Sequence, residues 1–200
     1  MKPCVVSDIL AVGEVPSPEQ LEILAKAGFK SVINCQPDGE VERFATSEAL
    51  RTEAVRQGLA YVYAPISSRT PSDDELAALR QALGLLPAPV YAFCYSGSRA
   101  AAAAAFLQTS AAEPDQIINE FAEAGFDIAS LKPWLNDERK RHVSGSMKSG
   151  RVASGAAASS SASALPEGAP VASPLPAALA LKGIVVHARA AGFSGFAVAG

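Results

Sequence analysis

Short apolar runs alternate with longer stretches of helical period along the first two thirds of the chain. The apolar runs are Ile9 to Val12, Ser31 to Asn34, Leu59 to Ala64 and Val90 to Phe93, and each reads as a strand. Between them lie three helices. Ser17-Pro18-Glu19 opens the first, with serine as N-cap and proline at the first helical position. Leu21, Leu24 and Ala25 form its buried stripe, and Gly28 ends it. Thr46 to Gln57 is the second, stopped at Gly58. Ser72-Asp73-Asp74-Glu75 has capping-box spacing and starts the third, which runs to Leu86. An alanine-rich helix, Ala100 to Gln108, follows the fourth strand. Pro114 opens another through Ala124, and a last helical piece covers Ile128 to Asp137, with Trp134 expected to pack onto the domain.

Strands separated by helices of this length imply β-α-β units. The fold class is therefore α/β, with a mainly parallel central sheet and helices on both faces. Such sheets bind ligands at the carboxyl ends of their strands. At one of those ends stands Cys94, followed by Tyr95, Ser96, Gly97, Ser98 and Arg99 and then by the alanine helix. A cysteine in a strand-to-helix turn sits where backbone N–H groups and the helix dipole favour a thiolate or a bound anion. Arg99, one helical turn on, keeps its charge at any relevant pH. Gly97 permits a positive φ, and the small Ser96 and Ser98 let the backbone amides curl around an anion. The site residues expected are Cys94 and Arg99 as the catalytic pair, with Tyr95, Ser96, Gly97 and Ser98 binding substrate. Cys35, at the end of the second strand on the same sheet edge, is a candidate redox partner for Cys94. The plain alternative is a strand-end cysteine with no such role.

Composition narrows the field. The 200-residue chain is 49% hydrophobic but 6% aromatic, because alanine dominates, and its net charge is −3. With no basic stripe, nucleic acid is not an expected partner. The cysteines (Cys4, Cys35, Cys94) form no C-x-x-C pair, and His142 and His187 lie far apart, so no metal site and no cofactor is expected. An odd cysteine count, a brief apolar run before Asp8, and no run of about 18 apolar residues point to a reducing, cytoplasmic setting without a membrane span. Residues 1–142 make one domain. From 143 to 176 serine, alanine, glycine and proline predict a flexible linker, and 177–200 a short apolar tail, poorly ordered. The charged run Asp137 to Arg141 reads as a solvated helix end.

The loop C-Y-S-G-S-R-A after an apolar strand resembles the active-site loops of rhodanese-type sulfurtransferases and of cysteine-dependent phosphatases. The upstream segments I-L-A-V-G-E-V-P-S-P-E-Q-L, A-G-F-K-S-V-I-N-C-Q-P-D-G-E and G-L-A-Y-V-Y-A-P-I narrow the likeness. Over residues 6 to 137 the chain resembles the bacterial beta-lactamase-hydrolase-like, phosphatase-like sulfur transferases. That resemblance implies a dual-specificity-phosphatase-like fold and, as partner, a persulfide dioxygenase fused or acting in trans. Phosphatases place five residues between Cys and Arg, whereas Tyr95 to Ser98 are four. Phosphatases also usually place a general-acid Asp after the third strand, where this chain has Pro65-Ile66-Ser67-Ser68-Arg69. Phe93 stands where they carry histidine. Asp73 and Asp74 belong to a capping box, Asp38 and Glu40 to a turn, and Arg69 to a solvated loop. Gln36 replaces an arginine common in the family. The expectation is a sulfurtransferase that carries sulfane sulfur on Cys94 from a small donor to a thiol acceptor. A cysteine-dependent phosphatase of the tyrosine or dual-specificity type is the alternative, and a non-catalytic anion-binding module is a third reading.

Overall fold

The computed structural model describes residues 3–40, 46–149, 180–181 and 184–185. Five strands form one sheet: β1 (Cys4–Ser7), β2 (Leu10–Glu14), β3 (Ser31–Asn34), β4 (Ala60–Tyr63) and β5 (Val90–Cys94), in the order β1-β2-β5-β3-β4. The pairs β2·β5, β5·β3 and β3·β4 are parallel. Only β1, joined antiparallel to β2, departs from the expected pattern. Its Val5 and Val6 are the brief apolar run before Asp8, too short to read as a strand by periodicity alone.

Alternation along the strands divides two cores. Ile33 and Ala92 face one, with Cys35 and Cys94. Val32, Tyr91 and Phe93 face the other. Helices α1 (Pro18–Lys26) and α2 (Ser47–Arg56) bring Leu21, Leu24, Leu50 and Ala54 to the second face. Helices α3 (Asp73–Leu85), α4 (Ser98–Gln108) and α5 (Pro114–Glu123) cover the first. Capping boxes fix the starts of α1, through Ser17 and Gln20, and of α3, through Ser72 and Glu75, each contributing about 1 kcal/mol. The alanine run has a packing reason: Ala100 through Ala105 are all buried, so α4 is enclosed on every side. Methyl side chains let it lie close to the sheet while α3 and α5 lie against it.

Beyond a 3-10 turn (Ala129–Leu131), α6 (Lys132–Ser149) is longer than expected and runs past the boundary placed at 143. Leu131 and Leu135 bury its start, while Trp134 is 50% exposed and does not pack onto the domain. Its charged run is not a solvated end either. Arg139 donates to the Thr109 carbonyl (2.9 Å) and to Glu113 (2.7 Å), and the buried Glu138 is paired with Arg141 and His142. Arg141 also reaches Asp73 at 2.7 Å. These contacts join α6 to the ends of α4 and α5 and to the start of α3. The linker expected over 143–176 lies outside the described residues beyond Ser149. Within the expected tail, β6 (Ala180–Leu181) and β7 (Ile184–Val185) pair antiparallel. Among the described residues no helix is long and apolar enough to cross a membrane.

Candidate active site

β5 lies between β2 and β3, so the loop after it opens at the centre of the sheet's carboxyl edge. Cys94 ends the strand and is 1% exposed. The chain then turns through Tyr95 and Ser96 to Gly97, whose φ of 83° puts it in the left-handed region, and α4 begins at Ser98. A Cβ on Gly97 would stand 2.9 Å from the Gly13 carbonyl carbon and 2.9 Å from Phe126 Cζ. The loop backbone is thus clamped between β2 and the segment after α5. No side chain caps the start of α4, which leaves its amides facing the loop. Ser96 and Ser98 share a hydroxyl–hydroxyl hydrogen bond at 3.1 Å. Tyr95, 42% exposed, stands on the outer side of the turn.

Arg99 shows what the loop can hold. Its side chain is 14% exposed. Its two terminal nitrogens donate to the two carboxylate oxygens of Glu40, at 2.7 and 2.6 Å, in the bidentate geometry of a fork on an oxyanion. Nη1 also donates to the Ile66 carbonyl at 3.0 Å, which anchors the guanidinium against the loop after β4. The Glu40 hydrogen bonds raise the Arg99 pKa above its ordinary value; partial desolvation opposes them, and the charge of Cys94 adds to the rise. Glu40 is therefore no mere turn residue, as its place beside Asp38 suggests. Asp38 does hold the turn: it accepts from Ser47 N and Ser47 Oγ, both at 2.7 Å, and its own N–H donates to Tyr63 Oη at 3.0 Å.

Other candidates fall on either side of the loop. Cys35 is fully buried rather than half-buried, and its N–H donates to the Phe93 carbonyl at 2.7 Å, one step beyond the β3·β5 ladder. Burial, then the charge of Cys94, pushes its thiol well above the usual range, against the pull of Arg99. Gln36 is buried, and its N–H donates to Asn34 Oδ1 at 2.9 Å. Arg69 is not a solvated loop residue: it donates to the Asp127 carbonyl, tying the loop after β4 to the one after α5. Asp73 is engaged with Arg141, as a helix-start acid. Glu14, which the chain pattern did not mark, is the register partner of Cys94 across β2·β5. Its place followed from no spacing rule, because the strand order was not legible. Among the described residues no group of three or more histidine, cysteine or acidic side chains is placed to hold a metal ion.

Residues 4–111, more than half of the chain, match the family model described as "Beta-lactamase hydrolase-like protein, phosphatase-like domain". Curated relatives named beta-lactamase hydrolase-like protein include one from Xylella fastidiosa and one from Agrobacterium fabrum. Each is 27% identical over 137 residues, spanning 68% of this chain and 32% of the relative. The chain therefore spans about a third of the length of the curated relatives it matches. Among solved structures, a putative phosphatase from Neisseria meningitidis is 23% identical, with a TM-score of 0.63 over 68% of this chain and 96% of that one. A putative phosphatase from Shewanella putrefaciens gives 20% and 0.53 over 70% and 87%. The core catalytic domain of the phosphatase SIW14 from S. cerevisiae gives 17% and 0.54 over 72% and 92%. The α/β sheet, the helices on its two faces and the cysteine loop at its edge are thus the tyrosine and dual-specificity phosphatase fold.

These findings overturn the expected sulfur carrier on Cys94. The matched family is described as phosphatase-like and the solved neighbours as phosphatases. Nothing in the comparisons supports rhodanese chemistry, and the sulfur donor and thiol acceptor expected as partners fall with it. The physical reason lies in Arg99. A four-residue spacer fixes where Arg99 leaves the backbone, not where its guanidinium ends. The long side chain reaches beyond the loop to Glu40 and Ile66, so loop length does not measure the size of the anion held.

Proposed function

Because the chain belongs to the beta-lactamase hydrolase-like, phosphatase-like domain family, we propose that it is a cysteine-dependent phosphatase acting on phosphate monoesters. The observation that carries this reading is the Arg99–Glu40 contact: beside Cys94, a guanidinium presents both terminal nitrogens to two oxygens of one anion. A carboxylate there stands in for two oxygens of a phosphoryl group.

In the proposed reaction the substrate phosphate displaces Glu40 from Arg99 and takes the loop amides from Tyr95 to Arg99 with its other oxygens. The Cys94 thiolate attacks phosphorus in line with the leaving oxygen. The S–P bond forms, the P–O bond breaks, and its electron pair leaves with the alcohol oxygen. Water then attacks the phosphocysteine, releasing inorganic phosphate and the thiolate. Arg99 and the amides act where charge spreads over the equatorial oxygens, which is where donors fixed in place lower the barrier most. The acids near the loop are committed elsewhere: Asp38 to the start of α2, Glu40 to Arg99, and Glu75 to the Ser67 and Ser72 amides. Substrates whose leaving oxygen departs unprotonated, such as aryl phosphates, should therefore be favoured over alkyl ones.

The test is hydrolysis of a series of aryl phosphates by the full chain. The rate should fall steeply as the leaving phenol becomes more basic, and Cys94→Ser should abolish turnover. Arg99→Lys, which loses the two-pronged donor, should lower kcat/KM at least 100-fold, about 2.7 kcal/mol. No hydrolysis of any member, or turnover that survives Cys94→Ser, rejects the proposal.

A further inference from the structure

The sheet sets a second thiol beside the first. The β3·β5 ladder pairs Ser31 with Val90, Val32 with Tyr91, Ile33 with Ala92 and Asn34 with Phe93. The Cys35 N–H continues it by donating to the Phe93 carbonyl, so the next residues abreast are Cys35 and Cys94. Alternation sends both side chains to the same face. Ile33 and Ala92, two positions back, lie in the same core as Cys35 and Cys94, while Val32, Tyr91 and Phe93 lie in the other. Neighbouring strands run about 4.8 Å apart, within the range of Cα separations that a disulfide spans. All three cysteines are reduced, and the third, Cys4, lies on β1, two strands from β5.

We propose that Cys35 and Cys94 form a reversible oxidation site, in which a peroxide oxidises Cys94 and Cys35 captures it as an intramolecular disulfide. The site deepens the phosphatase reading, because it depends on Cys94 being the reactive thiol. The Cys94 thiolate attacks one oxygen of hydrogen peroxide, the O–O bond breaks, and Cys94 becomes a sulfenic acid with hydroxide released. The Cys35 thiol then attacks the sulfenic sulfur. The S–S bond forms, the S–O bond breaks, and the Cys35 proton leaves with the hydroxyl as water. One peroxide is reduced to water and hydroxide overall, and two sulfurs are each oxidised by one electron. Burial supports the pairing: both sulfurs are shut from bulk solvent, so a small oxidant enters where a bulky thiol does not, and the sulfenic acid meets Cys35 first. A neutral Cys35 does not compete with Cys94 for an anionic substrate in the resting enzyme.

The test treats the full chain with hydrogen peroxide, blocks free thiols under native and then denaturing conditions, and digests with trypsin without reduction. The expected product joins the peptides 31–43 and 81–99, with a mass two hydrogens below their sum, and disappears with dithiothreitol. A Cys94 sulfinic acid without that product, a link from Cys94 to Cys4, or a loss of two hydrogens within 81–99 alone overturns the proposal. This readout needs no turnover, so it stands or falls apart from the phosphatase assignment. In a second arm, aryl phosphate hydrolysis by the peroxide-treated wild type returns with dithiothreitol. Cys35→Ala keeps the untreated rate within twofold but loses it for good, as Cys94 passes to the sulfinic acid. Equal recovery in both proteins counts against the pairing. If Cys35→Ala does not fold, the wild-type mass spectrum decides.

Discussion

Replacing Gly97 by alanine tests how tightly the cysteine loop is held. The substitution adds one methyl group to a residue with φ of 83°. Forcing an L side chain into the left-handed region costs about 1–2 kcal/mol. The methyl would also meet the Gly13 carbonyl carbon at 2.9 Å and Gly13 Cα at 3.0 Å, which are backbone and cannot swing aside, and Phe126 Cζ at 2.9 Å. Overpacking of that kind adds about 1–3 kcal/mol. Gly58 supplies the control, since its φ is 77° and a Cβ there meets nothing within 4 Å. Gly58→Ala therefore carries the φ cost alone, and the gain from a stiffer unfolded chain is the same for both. Gly97→Ala should lose about 1–3 kcal/mol more than Gly58→Ala in urea unfolding of the full chain, with unchanged m-values. It should also lower kcat/KM at least tenfold, because the loop amides shift with the backbone, while Gly58→Ala should not. Equal losses in the two variants would refute the clamp between β2 and the segment after α5.

Two further outcomes follow from the same geometry. Glu40→Gln removes the charge that competes for Arg99 but keeps the shape. Because the pair is partly exposed, the change is worth about 1 kcal/mol, and inorganic phosphate should inhibit about fivefold more tightly; weaker inhibition would mean that Glu40 holds Arg99 in place rather than competing for it. Cys35 gives a pH signature. Its folded form favours the neutral thiol, so the unfolded chain gains relative stability once its own thiol ionises, near pH 8.5. Stability should be unaffected below that pH and fall by up to about 1.4 kcal/mol per unit above it. Between pH 8 and 10, wild type should lose about 2 kcal/mol more than Cys35→Ala in urea titrations; parallel losses would mean that the thiol is not held neutral.

Most of the scaffold could be read along the chain because its signals are local. Ser17 with Gln20 and Ser72 with Glu75 mark helix starts by side chains three residues apart, and both capping boxes form. The four parallel strands sit within a residue or two of the apolar runs that announced them. Failures came where the information is not local. β1 has four residues and exists because β2 lies beside it. Trp134 looked like an anchor by size, yet the face of α6 that meets the domain carries Leu131 at its entry and Leu135 instead. The charged run near Glu138 looked solvated because its partners, Thr109, Glu113 and Asp73, are distant in sequence.

The same distinction accounts for the function. Cys94, Gly97 and Arg99 were legible because a strand, a tight turn and a helix start can be read from adjacent residues. The step from those residues to sulfur transfer rested on chain length between Cys94 and Arg99, as if a short spacer made a small cradle. Arginine breaks that inference, because its side chain is longer than the difference one spacer residue makes. What sizes the anion site is the set of groups that meet the guanidinium, and these come from elsewhere: Glu40 from the loop after β3 and Ile66 from the loop after β4. Both loops leave the sheet on the same edge as β5 because all three strands are parallel. The strand order that gathers them puts Cys35 abreast of Cys94 by the same step. An anion site and a vicinal thiol are thus two consequences of one register. A one-residue slip of β3 against β5 would turn Cys35 to the opposite face and carry Glu40 away from Arg99.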